Sequence, residues 1–432
     1  MKRCPSCSAE NPDEATLCLT CNRPLVDSSE GWESRLPSGP MTRMAAVKKA
    51  SGEVNALLWG CSGCFLLVAG FLGLLTVVLM GMSKPLEMIV GGFLALAPVP
   101  IYIALVLWID RFEAEPPWLL AMAFIYGACV SVFFAGVGNE INGVVAQGIV
   151  TSVFAGASEQ TQRFLVDFAT GCLSAPFTEE TSKGIGLVIV FFLLRKEFNG
   201  IVDGVIYATM IALGFAMTED IEYYARSLQG GGFASMGLTF VLRGVLAPYA
   251  HPLFTSMTGI GLGWAAQSRH LLVRVAAPLG GYFLAMLLHA TWNLSTLARY
   301  ISGDLDMVMI LVRAVALLFG CLGILAVCFY ALRRESELIR RHLQPELEVG
   351  RLTRQEVDDL ASITGRFRTS LAALRQGGLS RWLANERFNQ TASELAFLRE
   401  HMERGDLSRN TRAEEMVYMR RLAELRRTLR GG

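Results

Sequence analysis

Long runs of apolar residues alternate with short polar segments between residues 57 and 332 of the chain. Each run reaches or exceeds the ~20 residues that an α-helix needs to cross a bilayer. The stretch 139–164 is too polar for a span and is predicted to be a loop, with an interfacial helix as an option. The pattern therefore predicts an all-α polytopic membrane protein with about eight transmembrane helices. The predicted spans cover residues 57–80, 86–109, 118–138, 165–194, 201–222, 244–267, 275–298 and 307–332.

Clusters of basic residues set the predicted orientation of these helices, because cytosolic loops of membrane proteins carry an excess of Lys and Arg. Eight spans that start from a cytosolic N-terminus place four basic clusters inside, and Lys84 in a short outer loop is the exception. We therefore predict a multi-pass protein of the plasma (cytoplasmic) membrane with both termini in the cytosol. The four clusters are Lys48 with Lys49, Arg195 with Lys196, Arg269 with Arg274, and Arg333 with Arg334.

The segments outside the apolar region differ from it in character. Residues 26–56 form a predicted linker with Pro, Ser and Gly, and residues 333–432 form an Arg-rich tail that mixes both charge signs at helical spacing. Thr353 and Glu356 have the spacing of a helix-capping box. We predict a cytosolic helical tail, which is either a solvated bundle or an element that regulates, binds a partner or contacts anionic lipid. The predicted domains are 1–25, 26–56, 57–332 and 333–432.

Composition agrees with the apolar pattern. Of the 432 residues, 52% are hydrophobic and 18% are charged, which is typical of polytopic membrane proteins. The formal net charge is +1, so the overall charge does not favour nucleic acid or another acidic partner. The partners that we expect are the lipid bilayer and a membrane-protein substrate, and the sequence does not indicate an oligomeric state.

Two pairs of cysteines lie in the polar N-terminal segment "CPSCSAENPDEATLCLTC", at Cys4 with Cys7 and at Cys18 with Cys21. Two CxxC pairs on one short loop provide four thiolates that close a tetrahedral zinc site. The alternative is a pair of disulfides, which a reducing cytosol disfavours. We therefore predict a zinc-ribbon knuckle in residues 1–25 that binds one structural Zn²⁺ and leaves no open position for catalysis.

Three ionisable residues lie directly against an apolar run in "APFTEETSKGIGLVIVFFLL", which begins at Ala175. Glu179 and Lys183 are four residues apart, and Glu180 and Lys183 are three apart, so either pair can meet on one helix face. An intramembrane charge is costly and is a functional-site hypothesis by default. Lys183 is expected to neutralise one glutamate partly and to leave the other available as a base.

Further polar residues lie in neighbouring predicted spans. These are Glu219, His251 between two prolines, and His289 with Asn293 at helical spacing. With a rise of 1.5 Å per residue, these four and Glu179 lie roughly 21–27 Å from the cytosolic ends of their spans. Antiparallel spans therefore place them in one layer of the membrane, and the prolines beside His251 are expected to interrupt its helix there.

The segments "EETSK", "FAMTE" and "HATWN" read as EExxK, FxxxE and HxxxN, and "DRFEAEPP" and "APYAHPLFTSMTGIGLG" accompany them. In this order they resemble the PrsW family of intramembrane proteases, which is related to the type II CAAX prenyl endopeptidases and the bacteriocin-immunity proteins. The resemblance covers residues 86–298. The wider group usually has His at the position of Glu219 and Arg at that of Lys183. The zinc knuckle and the tail lie outside the resemblance.

The resemblance implies an endopeptidase that hydrolyses membrane-associated proteins, with a possible part in regulated proteolysis. Glu179 would activate water together with His251 or Glu219, His289 and Asn293 would stabilise the oxyanion, and Glu180 and Lys183 would hold them in place. These seven residues are the predicted catalytic site. A metal-free glutamate mechanism is favoured, and a zinc site built from Glu and His is the alternative. A proton-coupled transporter and a non-catalytic scaffold stay open as other functions.

The zinc prediction is testable because the chain has a third CxxC motif, Cys61 with Cys64, outside the N-terminal segment. Purified under reducing conditions, the full-length protein should lose about one zinc per chain when Cys4 and Cys7 are replaced by Ser, as a closed four-thiolate site requires. The Cys61→Ser, Cys64→Ser variant is the matched control and should keep that zinc. Elemental analysis measures the difference, and equal zinc contents in the two variants would contradict the prediction.

Overall fold

The computed structural model describes residues 2–3, 10–11, 62–81, 84–110, 112, 115–194, 198, 200–300, 304–404 and 411–430. The described part is almost entirely helical and confirms an all-α polytopic membrane protein. Its α-helices are α1 Ser62–Gly81, α2 Pro85–Leu96, α3 Val99–Ile109, α4 Pro117–Ile125, α5 Val132–Val153, α6 Glu159–Phe168, α7 Ala175–Leu193, α8 Ile201–Phe240, α9 Ala250–Gln267, α10 Leu271–Leu294, α11 Asp304–Glu348, α12 Arg354–Leu360, α13 Ile363–Arg404 and α14 Thr411–Arg430. A short 3₁₀ helix covers Ser295–Tyr300. Two strands of two residues, Lys2–Arg3 and Glu10–Asn11, pair antiparallel.

The chain forms two compact units. One comprises residues 54–110 and 115–331 and contains the helices of the membrane region. The other comprises the described residues within 1–53, 111–114 and 332–432 and so contains the tail. Within the described residues, six helical stretches are long and apolar enough to cross a membrane. Helix α7 is not among these six because it carries three charged residues, Glu179, Glu180 and Lys183. The single stretch Ile201–Gln267 contains two of the predicted spans. The number of eight transmembrane helices therefore stays a prediction.

The interpretation of residues 139–164 as a loop is wrong. Helix α5 continues to Val153, and α6 begins at Glu159. The polar residues that suggested a loop are contacts between helices: Asn139 accepts a hydrogen bond from Thr178 at 2.5 Å, and Asn142 donates to Ser174 at 2.8 Å. Polar side chains in a membrane helix can form hydrogen bonds with a neighbouring helix. Their presence therefore does not mark the end of the helix that carries them.

The N-terminal half of α8 is the centre of the membrane unit. Every residue from Val202 to Ala216 is buried and most of them are apolar, as in a helix that is enclosed on all sides. In the most apolar window of Ile201–Gln267, 83% of the residues are buried, against 6% for Leu271–Leu297. Further along, α8 kinks at Gly232, whose φ of 69° lies in the left-handed region that glycine adopts readily.

Glycines bring α8, α9 and α10 into backbone contact. A Cβ on Gly204 would overlap the carbonyl oxygen of Gly259, and a Cβ on Gly259 would overlap that of Gly204. Gly263 approaches the carbonyl of Gly200 in the same way, so a GxxxG pair on each helix forms the crossing. Small residues at such positions let membrane helices pack closely, which gives van der Waals contact where no hydrophobic effect drives association.

Among the described residues of the membrane unit, three π-helical turns interrupt the α-helices: π1 is Tyr126–Ser131, π2 is Ala169–Ser174 and π3 is Val241–Leu246. In each turn a backbone carbonyl accepts a hydrogen bond from a side chain of another helix. Ala128 accepts from Thr218 at 2.8 Å, Gly171 accepts from Asn293 at 2.8 Å, and Gly244 accepts from Tyr102. Turns of this kind occur often at functional sites.

Charged residues hold the tail helices together. The predicted capping box at the start of α12 is confirmed, since Glu356 accepts from the Thr353 amide at 2.7 Å and Thr353 accepts from the Glu356 amide at 3.2 Å. Partial burial alone would raise the pKa of Glu356, but hydrogen bonds from Arg426 and the Thr353 amide hold it below its usual value. Glu346, 2% exposed, accepts from Arg399 at 2.6 Å.

Two adjacent glycines of α10 allow a direct test of the close crossing. A Cβ on Gly281 would overlap the carbonyl oxygen of Met257 in α9, whereas a Cβ on Gly280 would meet no atom within 4 Å. Gly281→Ala should destabilise the protein by about 1–3 kcal/mol through overpacking. Gly280→Ala, the matched control, should leave stability unchanged or raise it by up to about 1 kcal/mol through helix propensity. Thermal unfolding in detergent measures both, and equal effects would contradict the proposed packing.

Candidate active site

Six of the seven predicted catalytic residues meet inside the membrane unit. Helix α7 contributes Glu179, Glu180 and Lys183, α8 contributes Glu219, α9 contributes His251 and α10 contributes His289. Lys183 and Glu180 are 0% and 1% exposed. Residues three and four apart share a helix face, so the EExxK spacing places the ammonium of Lys183 beside both carboxylates.

Glu180 is a fully engaged carboxylate. Its Oε1 accepts from the Lys183 ammonium at 2.9 Å and contacts His289 Nδ1 at 3.0 Å, and its Oε2 accepts from the Thr255 hydroxyl at 2.8 Å. Both oxygens are therefore satisfied by groups on α7, α9 and α10. A buried carboxylate with a cation and two further hydrogen bonds fixes the position of its partners.

Glu179 has only long contacts. Its Oε2 lies 3.5 Å from Lys183 Nζ, 3.8 Å from His289 Nε2 and 4.0 Å from His251 Nδ1. Its Oε1 accepts from the Asn139 amide at 3.4 Å. The two separations from the imidazoles, 3.8 and 4.0 Å, are in the range in which a water molecule can bridge two polar atoms. Glu179 therefore faces two imidazoles at distances longer than a direct hydrogen bond.

The tautomer of His251 follows from its two partners. Lys183 can only donate, so at 3.0 Å its ammonium donates to the Nδ1 lone pair. The proton of a neutral ring is then on Nε2, which donates to Glu219 at 2.9 Å. The helix of His251 begins at Ala250, after an interruption at residues 247–249, as the neighbouring prolines predicted.

Aromatic rings close the site on several sides. The Lys183 ammonium lies 3.9 Å from the centroid of the Phe215 ring, and the Phe254 ring stacks on His289 with centroids 5.0 Å apart. Both phenylalanines are buried. These rings lower the local dielectric, so the charges inside interact more strongly than they would in water.

Asn293 is the predicted residue that the structure places apart from this cluster. Its side-chain amide donates to the backbone carbonyl of Gly171 in π2 at 2.8 Å. This bond ties α10 to the turn that leads into α7. Asn293 thus contacts the segment that positions Glu179 rather than Glu179 itself.

Three residues of the site were missed as candidates. Thr255 follows His251 by four residues, a spacing that places both on one helix face. Asn139 was assigned to a loop. Arg243 lies just before a predicted span, and the only sign of its role in the sequence is a charged residue next to an apolar run. Its guanidinium donates to Glu219 Oε2 at 2.6 Å and also binds Asp220.

Glu179, His251 and His289 can present one oxygen and two nitrogen atoms within 4.8 Å of one another. One carboxylate and two imidazoles form a ligand set of catalytic zinc. The nitrogen that His251 would offer from this side is Nδ1, and that lone pair already accepts from the Lys183 ammonium. The ligand types therefore fit a metal, but the hydrogen bonding does not fit while Lys183 holds this position. The predicted structural ligands Cys4, Cys7, Cys18 and Cys21 lie outside the described residues.

The chain is similar to known proteins over part of its length. Residues 115–321 match the family model described as PrsW family intramembrane metalloprotease. Protease PrsW of Geobacillus kaustophilus (strain HTA426) is 27% identical over 194 residues, which cover 44% of this chain and 72% of that protein. Protease PrsW of Clostridioides difficile (strain 630) is 33% identical over 131 residues, which cover 30% of this chain and about half, 48%, of that protein. No solved structure matches the chain.

The matched region includes the six clustered residues and Asn293, and it excludes the N-terminal cysteines and the tail. Through this region the chain is similar to the PrsW family of intramembrane proteases.

Proposed function

We propose that this protein hydrolyses peptide bonds of membrane-associated proteins with a water molecule that Glu179 activates. The observation that carries the proposal is the difference between the two adjacent glutamates. Glu180 has short hydrogen bonds on both oxygens, whereas Glu179 has contacts of 3.4–4.0 Å and faces His251 and His289. A general base needs a free lone pair within reach of the proton that it removes.

In the proposed reaction, Glu179 Oε2 removes a proton from water as the oxygen attacks the carbonyl carbon of the scissile bond. The carbonyl oxygen becomes an oxyanion, and His289 in its doubly protonated form donates to it from Nε2, while Nδ1 stays bound to Glu180. Glu179 then returns the proton to the leaving nitrogen as the C–N bond breaks. Lys183 and His251 hold the carboxylate and the water in place.

Asn293 keeps a part in the proposal as an amide that supports the oxyanion site. In the resting arrangement its amide binds Gly171, so donation to an oxyanion requires an exchange of partners. Its contact with π2 also fixes the start of α7, which carries Glu179. The first contribution is the one that the HxxxN motif suggests, and the second would act only through the position of Glu179.

A metal-dependent hydrolysis is the second candidate, and the grouping of Glu179, His251 and His289 favours it. The description of the matching family as metalloprotease points the same way. A bound metal ion would supply a Lewis acid that lowers the pKa of its water ligand. For the three residues to hold it, Lys183 would first have to release Nδ1 of His251.

Paired neutral substitutions test the roles of the two glutamates. Glu179→Gln keeps the shape and removes the base, so cleavage should fall by ~10²–10⁴-fold while the protein stays folded. Glu180→Gln, the matched variant one residue away, breaks a buried ion pair and should instead destabilise the protein by about 3–5 kcal/mol. Substrates are found by mass spectrometry of membrane-protein fragments from cells with wild-type protein or Glu179→Gln, and purified proteins then give rates and melting temperatures.

The result that would refute the assignment is a well-folded Glu179→Gln protein that cuts at the wild-type rate. Fragments that are identical in both cell populations would remove the support for proteolysis and favour a transporter or a scaffold.

Chelation separates the two mechanisms. A full-length variant with Cys4→Ser and Cys7→Ser lacks the predicted structural zinc site, so an effect of a chelator on its activity does not come from that site. We expect this variant to keep its activity in strong chelator, because Lys183 occupies one of the three ligand atoms. Loss of activity in chelator, followed by recovery on addition of Zn²⁺, would establish the metal-dependent alternative.

A further inference from the structure

Arg243 is a cation in the membrane unit that the proposed reaction does not use. It lies in π3, within the apolar stretch Ile201–Gln267, and its side chain is 27% exposed. An arginine at such a place is costly unless it is paired, and it marks a functional site by default. Its partners are Glu219, at 2.6 Å from Nη2, and Asp220, which binds Nε.

The guanidinium is fixed from two sides. Asp220 binds it through Nε, and the Tyr223 ring lies with its centroid 3.8 Å from the guanidinium carbon. These contacts aim Nη2 at Glu219. Because the guanidinium is planar and its donors have fixed directions, it positions a carboxylate more rigidly than an ammonium does.

One oxygen of Glu219 connects Arg243 to the catalytic cluster. Glu219 Oε2 accepts from Arg243 Nη2 at 2.6 Å and from His251 Nε2 at 2.9 Å. Nδ1 of the same ring then faces Lys183 at 3.0 Å and Glu179 at 4.0 Å. A continuous series of hydrogen bonds thus runs from Arg243 through Glu219 and His251 to Lys183.

We propose that Arg243 is a positioning residue: it holds Glu219, and Glu219 keeps the proton of His251 on Nε2 so that Nδ1 faces Lys183 and the water site. This role rests on the proposed hydrolysis. A partner of this kind fixes the tautomer and the orientation of a histidine ring without touching the substrate. Without the guanidinium, Glu219 loses its shorter contact and no longer holds the ring in one state.

The first experiment reads the ring directly and needs no substrate. The chain contains five histidines, so ¹⁵N-histidine labelling gives few ring signals, and His251→Gln identifies those of His251. Wild-type protein in nanodiscs should show His251 with a protonated Nε2 and an unprotonated Nδ1. Arg243→Gln should shift these signals or add a second tautomer, and Arg243→Lys should have a smaller effect.

Arg226→Gln is the matched control. Arg226 lies on α8 and pairs with Glu222 at 2.5 Å, but its side chain is 64% exposed and it lies outside the site. This variant should leave the His251 signals unchanged. Unchanged His251 signals in Arg243→Gln would overturn the proposal, whatever the activity of the protein.

The second experiment uses the substrate found by comparing wild type with Glu179→Gln. Arg243→Gln should lower kcat by roughly 10–100-fold, as for loss of a residue that orients a catalytic group, with KM nearly unchanged. Arg243→Lys should recover part of this loss. In a Glu219→Gln background, Arg243→Gln should have no further effect on kcat, because the two act as one unit.

Asp220→Asn distinguishes positioning from a structural role. If Arg243 only tied π3 to α8, loss of Asp220 would mimic loss of Arg243 in both melting temperature and kcat. We expect Asp220→Asn to lower the melting temperature as Arg243→Gln does, but to lower kcat by less than Arg243→Gln, because the Tyr223 ring and Glu219 still hold the guanidinium. Wild-type kcat in Arg243→Gln, with Glu179→Gln inactive, would refute the positioning role and leave the proposed hydrolysis intact. Equal activity of wild type and Glu179→Gln would refute the hydrolysis itself.

Discussion

The carboxylate of Glu180 is the interaction on which the site depends. It binds Lys183 on its own helix, Thr255 on α9 and His289 on α10. A charge in an apolar interior is tolerated only when its hydrogen-bonding capacity is satisfied, and here both oxygens are occupied. Lys183, once held, donates to His251, and His251 in turn meets Glu219. The positions of the remaining groups therefore follow from one buried anion.

Two adjacent glutamates differ so strongly because a helix turns by about 100° for each residue. Glu180 points into the contact of α7 with α9 and α10, where three donors surround it. Glu179 points toward α5, where the amide of Asn139 is 3.4 Å away, and its other oxygen faces the two imidazoles at 3.8 and 4.0 Å. The same helix thus supplies an anchored carboxylate and a loosely held one at neighbouring positions.

Much of the site was predictable from local rules. Spacings of three and four residues place side chains on one helix face, and the length of apolar runs gives their depth in the bilayer. Those two rules are sufficient to bring Glu179, Glu219, His251 and His289 into one layer. The role of residues 139–153 was not predictable in this way, because the polarity of Asn139 signals exposure and interhelical bonding equally well. The pairing of Arg243 with Glu219 was not predicted because Arg243 lies at the end of a predicted span, where basic residues are common.

The hydrogen-bond partner of Asn293 could not be predicted from the sequence, because π-helical turns leave no recognisable pattern of apolar residues.

The π-helical turns also limit how the chain can vary in length. A π turn holds one residue more than the α-helical ladder accommodates. Deleting a single residue from Ala169–Ser174 would restore the regular ladder and rotate α6 by about 100° relative to α7. Substitutions within π2 would leave that rotation unchanged, so we expect relatives to differ there in residue type far more readily than in residue number.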